Sequence, residues 1–371
     1  MVNLADVIRQ HGRSLEEVSA RAGIRESRVR EIIGGAEPSV GELRRLAETL
    51  GLSMADFLPV TAEEEQAEVL FRERAAQKQR GGAPVRQFTR RVGGALELLG
   101  MEHLPLWLAE FPATSQTYEG AEFATHEFRR RFFRNDQFGP LIGLPSLLVN
   151  QLGVLLFIGS ERAFDGASAI LKGHVFVFVA AQFKPRMLFT LAHELAHLLI
   201  HHTDRELVVL DGPDDVWDLP ARDNRQEEAF ANAFASALLV PKTGVGVALQ
   251  RIKALTGASN DSVGDVEILY LSRIFGVSFE VAARRCEDLQ LLPRGGARSL
   301  YEHLRKEHES PEKRADSLNL PPRPEIEFPQ IPPHLVDRAM RRIRAGEISV
   351  GRASQILNVS IPDLFVLHSR S

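Results

Sequence analysis

The stretch FTLAHELAHLLIHH, Phe189 to His202, sets four histidines and a glutamate in a run otherwise made of leucine, alanine, isoleucine, phenylalanine and threonine. A helix of this composition is apolar on most of its faces, so it belongs in a core. Imidazole and carboxylate groups carried into a core are costly unless hydrogen-bonded or bound to a metal. His193 and His197 stand at i and i+4, on one helix face, where two imidazoles can grip one zinc ion. Glu194 lies one helical step round from His193, placed to reach a metal-bound water rather than the metal. Zinc makes such a water acidic near neutral pH, and the carboxylate can take its proton as attack begins. The plainer reading is a pair of core histidines satisfied by hydrogen bonds alone.

A catalytic zinc site needs a third protein ligand. The best downstream stretch is RQEEAFANAFASALLVP, Arg225 to Pro241, with apolar residues at helical spacing and Glu227 and Glu228 at its head. Glu228 shares a face with Ala231, Asn232 and Ala235, whose small size admits the motif helix. As a plain surface acid it would also suit a helix N-terminus.

These two stretches resemble the ImmA/IrrE family of bacterial zinc metallopeptidases, which pairs an FTLAHELxH helix with a later ExxAxxFAxxLLxP helix. The likeness extends over roughly Pro140 to Leu292. It implies His193 and His197 as zinc ligands, Glu194 as general base and Glu228 as third ligand; the family spacing prefers Glu228 to Glu227. His201 and His202 read as residues of a solvated helix end, although His201, one turn beyond His197, can also face the site. His174 opens a candidate strand that could be the sheet edge where a peptide pairs. Tyr118, Tyr270, Tyr301 and the nearby histidines are open candidates for stabilising an oxyanion.

Residues 1–60 read differently. Leu4, Val7, Ile8, Leu15, Val18, Ala22, Val29, Ile32 and Ile33 recur at helical spacing. Ser14 can cap a helix to Ala22, Gly23 permits a tight turn, and a second helix runs from about Glu26 to Ile33. Its outward side would present Arg25, Ser27, Arg28 and Arg30 to the major groove of DNA. The unit resembles the Cro/repressor-like (XRE-type) helix-turn-helix family from Leu4 to about Leu58, ending in PSVGELRRLAETLGLSMADFL. Eight arginines against nine acids over Met1–Leu58 leave it near neutral, so counterion release helps binding little. A homodimer can compensate; the other reading is a helical module that binds protein or dimerises.

The rest bounds the answer. The net charge of −4 excludes a general polyanion binder, and the single cysteine excludes a disulfide framework and cysteine-rich zinc sites. The start lacks a leader pattern, and the longest apolar runs are too short for a bilayer, so no membrane partner and a cytoplasmic setting are expected. The expected class is mainly α with a small sheet (α+β). The expected division is a helix-turn-helix domain at 1–60, a helical linker region at 61–139, a metallopeptidase domain at 140–292, a linker at 293–333 and a small helical element at 334–371. Strands are expected at Val154–Ile158 and His174–Val179, parted by a turn at Asp165-Gly166. The final element, with GEISVGRASQILNVS between helices, resembles a winged or helix-turn-helix fragment, and Arg338, Arg341, Arg342 and Arg344 are its candidate DNA contacts. Taken together, the resemblances imply a zinc endopeptidase fused to a DNA-binding domain, cutting a repressor-type protein in stress- or phage-linked regulation. The alternative is a transcription regulator or antitoxin-like protein whose zinc fold is a sensor or scaffold without proteolysis.

Overall fold

Ser14 begins the first described helix in the way its sequence requires. Its hydroxyl accepts the Glu17 amide and the Glu17 carboxylate accepts the Ser14 amide, each at 3.1 Å, a reciprocal cap. Helix α1 (Leu15–Ala22) then stops at Gly23, whose φ of 63° is the left-handed turn. Ile24 folds inward, and α2 (Glu26–Ile33) and α3 (Val40–Leu50) close a small core of Ile8, Val18, Ala22, Ile24, Val29, Leu46 and Leu50. The computed structural model describes residues 8, 14–50, 83–159, 165–201, 207–211, 225–257, 262–329 and 331–370. Leu4, Val7, His202 and the charged stretch from Pro59 to Gly82 lie outside the described residues.

This unit, Met1–Ala67, and the unit Glu68–Ser371 are each compact. Among the described residues the second contains α4 (Ala83–Leu99), α5 (Leu106–Ala109), α6 (Tyr118–Phe132), α7 (Leu144–Asn150), strands β1 (Leu155–Gly159), β2 (Gly166–Leu171) and β3 (His174–Ala180), then α8 (Lys184–Ile200), β4 (Leu207–Asp211), α9 (Arg225–Leu239) and α10 (Lys242–Thr256). There follow α11 (Asp265–Phe275), α12 (Phe279–Asp288), α13 (Gly296–His308), α14 (Pro311–Ser317), α15 (Pro333–Arg344), α16 (Val350–Leu357) and α17 (Ile361–Arg370). It is an α+β fold, as expected. Among the described residues no single helix is long and apolar enough to cross a membrane.

The sheet order is β1-β3-β2-β4, with β1 parallel to β3 and the other neighbours antiparallel. This corrects the sequence reading twice. Asp165-Gly166 is no turn between two strands: Gly166 opens a further strand, β2, and the tight turn is Lys172-Gly173, both at positive φ. Strand β3, with His174, is not an edge either. It lies between β1 and β2, and β4 is the edge beyond β2.

Alternation along β3 serves two layers. Val175, Val177 and Val179 join Leu188, Leu191, Leu195 and Leu198 of α8 in the main core. Phe176 and Phe178 turn the other way, toward Phe157 and toward Phe88 of α4, with ring centroids 6.4 Å and 5.5 Å apart. Helix α9 packs on α8 through Phe230, Ala231, Phe234 and Ala235. Its C-terminal end is held by two buried arginines, Arg129 of α6 donating to the Leu238 carbonyl and Arg285 of α12 to the Val240 carbonyl, each through Nε at 2.9 Å. These side chains satisfy carbonyls a helix end leaves unbonded.

The segments read as linkers are built in. Leu108, Phe111, Ala121, Ala124 and Phe128, from 61–139, are core residues. From 293–333, α13 and α14 contribute Ala297, Leu304 and Ala315, and the extended proline-rich run buries Ile326. Helices α15 and α16 then pack on α4, where Arg352 pairs with Glu97 at 2.5 Å, and α17 packs on α15 and α16.

Candidate metal centre and DNA-facing helix

Helix α8 starts at Lys184-Pro185, a proline placed where no intrahelical N–H is needed, and runs buried past His197. The histidine pair therefore rises from a rigid element of the core. Nε2 of His193 and Nε2 of His197 lie 3.1 Å apart. Oε2 of Glu228, from the first turn of α9, lies 3.3 Å from the first and 3.8 Å from the second. All three side chains are buried, and their ligand atoms lie within 4.8 Å of one another. Two imidazoles and a carboxylate, converging without a lysine or arginine among them, suit a borderline-soft divalent ion such as zinc. The residues expected from sequence as ligands are thus brought together.

Glu194 is fully buried and takes no place among these ligand atoms. It lies under β2: a Cβ built on Gly166 would come 2.2 Å from its Oε1 and 2.6 Å from Cγ2 of Thr190. Glycine at the start of β2 thus leaves the space this carboxylate occupies.

Sequence reasoning left two neighbours without a role. Gly166 was read as a turn residue. Asn232 was read only as a small residue on the Glu228 face, yet its Oδ1 lies 3.0 Å from Nδ1 of His193. An acceptor there favours the tautomer with hydrogen on Nδ1 and leaves Nε2 for a metal. Since Asn232 stands at i+4 from Glu228, one face of α9 supplies both groups. Glu227, the rival to Glu228, lies instead 3.5 Å from Nε2 of His201.

The tyrosines named as oxyanion candidates have contacts of their own. The Tyr118 hydroxyl accepts from Arg285 at 2.9 Å, and burial pushes its pKa up to about 12. Tyr301 stacks on Phe279, and Tyr270 packs against the main core. His174 donates from Nε2 to the Gly100 carbonyl, 3.1 Å away, and burial lowers its pKa.

In the N-terminal unit, Arg25, Ser27 and Arg30 are exposed at or along α2, with Arg30 paired to Glu26 at 2.6 Å. Arg28 is differently placed. It donates to Glu42 of α3 at 2.9 Å, to Glu31 at 3.1 Å and to the Glu37 carbonyl at 2.9 Å, so it ties α2 to α3. Helix α16 has a serine cap at Ser349, eight residues and a left-handed residue, Asn358, at its end, and α17 follows. That second helix exposes Ile361, Phe365 and Val366. Of the tail's arginines, Arg338 donates to Leu99 O, Arg342 to Glu97 O and Arg344 to His368, while Arg341 is exposed.

Two family models match the chain. Residues 165–287 match the IrrE N-terminal-like domain, a peptidase family, and residues 4–57 match the helix-turn-helix model. No curated protein matches. The peptidase match holds β2, α8 and α9, and so all of His193, Glu194, His197 and Glu228. The chain thus joins an N-terminal XRE-type helix-turn-helix domain to a domain of the ImmA/IrrE family of metallopeptidases.

Proposed function

We propose that this chain is a zinc-dependent endopeptidase, brought to DNA by its N-terminal domain, that cuts a repressor-type protein in a stress- or phage-linked response in the cytoplasm. The observation that carries this reading is the buried convergence of His193, His197 and Glu228 beside Glu194. His193, His197 and Glu228 would hold the zinc. When bound, the ion supplies Lewis acidity toward a peptide carbonyl and makes water acidic near neutral pH.

The chain's own residues do the rest. Glu194 takes a proton from the attacking water and delivers it to the departing amine as the C–N bond breaks. Its burial under Gly166 fixes its aim. Asn232 holds the His193 ring. An extended substrate pairs along β4, the edge strand whose partner β2 carries Gly166 over the glutamate. Arg25, Ser27 and Arg30 meet DNA, while Arg28 keeps α2 and α3 in register, and a dimer makes good the modest charge.

Incubating the purified, zinc-loaded chain with the repressor-type protein encoded beside it tests the enzyme reading. Wild type should produce defined fragments, and Glu194→Gln should bind zinc and produce none. Equal behaviour of the two on that protein sinks the peptidase.

A further inference from the structure

The histidines of α8 continue past the pair already described. His193, His197 and His201 stand at i, i+4 and i+8, in a row along one face. Across from them, α9 begins with adjacent carboxylates. Glu228 approaches His193 and His197, and Glu227 lies 3.5 Å from Nε2 of His201. His197, His201 and Glu227 also bring their ligand atoms within 4.8 Å of one another. Two sets of two imidazoles and one carboxylate therefore share the middle histidine.

We propose that His201 and Glu227, beside the shared His197, form a second and weaker position for a divalent transition metal, on the solvent side of the first. The donor set is again of the kind zinc takes. Exposure tells the two positions apart. The His197 and Glu228 side chains are 1% and 9% exposed, those of His201 and Glu227 21% and 34%. The outer position is open to water, which can complete a coordination shell that the protein fills only in part.

Sharing decides the order of filling. One imidazole nitrogen binds one ion. With the inner position filled, His197 is engaged there, and the outer ion keeps His201, Glu227 and water. Fewer protein ligands and a wetter setting make it the weaker position. An ion in that place lies on the solvent side of the inner centre, where it obstructs an incoming peptide. Excess zinc is therefore an inhibitor of this chain, acting through His201 and Glu227. The inference rests on the proposed function, because it takes the inner set to be a zinc site.

Zinc titration of the full-length metal-free protein by calorimetry tests it, with His201→Ala and Glu227→Gln alongside. Wild type should show one tight equivalent and one roughly tenfold or more weaker, the difference expected when a ligand is shared and water replaces it. Each variant should lose the weak equivalent and keep the tight one, and excess zinc should slow cleavage by wild type more than by either variant. A single class of site in wild type overturns the proposal. So does a weak class that survives in both variants, since that ion then sits on another of the chain's twelve histidines. So does loss of both classes in either variant, which would merge the two positions into one. Absence of the tight class from wild type overturns the proposed function instead.

Discussion

Replacing Gly166 by alanine adds one methyl group where the structure leaves no room for it. The new Cβ would lie 2.2 Å from Oε1 and 3.0 Å from Cδ of Glu194, and 2.6 Å from Cγ2 of Thr190. Non-bonded heavy atoms prefer separations of about 3.5–4.0 Å, so the overlap with both neighbours is near 1 Å or more. Thr190 is β-branched and sits inside a helix, where its χ1 has little freedom. Glu194 is fully buried, so its carboxylate has no solvent to swing into. Either β2 lifts from α8 or Glu194 leaves its place. Overpacking of this kind costs about 1–3 kcal/mol, and each kcal/mol lowers Tm by roughly 2–4 °C in a protein of a few hundred residues. The larger effect falls on turnover, because a displaced general base forfeits a contribution on the order of 10²-fold or more. The three atoms nearest the new methyl belong to Glu194 and Thr190, not to His193, His197 or Glu228, so the tight zinc should stay. The assay is kcat on the cleaved partner, with zinc content and Tm measured on the same preparation. Wild-type kcat and Tm in Gly166→Ala would refute the claim that Gly166 sets the position of Glu194.

Other consequences follow from single contacts. Asn232→Leu removes the acceptor for His193 Nδ1 and should weaken the tight zinc by about 10–100-fold, while Asn232→Asp should keep most of the affinity; competition with a chelator reads both. Arg28→Ala should loosen the N-terminal unit, seen as faster hydrogen exchange in α2 and α3, because Arg28 bridges those helices. Arg25→Ala should leave exchange alone and lower the salt slope of DNA binding by about one unit. The same bridge sets an acid limit. Hydrogen bonds from Arg28 and Ser39 hold the Glu42 carboxyl down at about 2, against an ordinary value of 4.5. Its folded pKa is lowered, so its stabilisation is complete above the ordinary value and is lost as pH falls from about 4.5 toward about 2. Glu42→Gln should flatten that part of the stability profile of the N-terminal unit, followed by exchange in the full chain.

The site was legible in the sequence where chemistry and periodicity coincide. His193 and His197 share a face by spacing alone, and α8 and α9 are long, apolar and bounded by proline or paired acids. The capped α1 and its glycine turn were legible for the same reason, since Ser14 and Gly23 act within their own helix. Strand β2 was not. GASAIL opens on four small residues, Gly166 to Ala169, and carries bulky side chains only at its end, Ile170 and Leu171, because its faces are covered and Gly166 must admit a carboxylate from α8. The sheet order was also hidden: His174 opens a strand whose place in the middle depends on β1 returning parallel beside it. Proline and charge between 293 and 333 suggested a linker, yet a few well-spaced apolar residues, Ala297, Leu304, Ala315 and Ile326, anchor it in the core. The Asn232–His193 and Arg28–Glu42 contacts join residues from different helices, and no local pattern announces them.

The central claim is that His193, His197 and Glu228 hold a zinc ion for Glu194 to work beside. Zinc content after exhaustive dialysis, measured on wild type, His193→Ala, Glu228→Ala and Glu194→Gln at matched protein concentration and confirmed fold, tests it most directly. The account predicts one zinc in wild type and in Glu194→Gln, and none in His193→Ala or Glu228→Ala. A wild type that loads no zinc, or a Glu228→Ala protein that keeps it as tightly, would contradict the account.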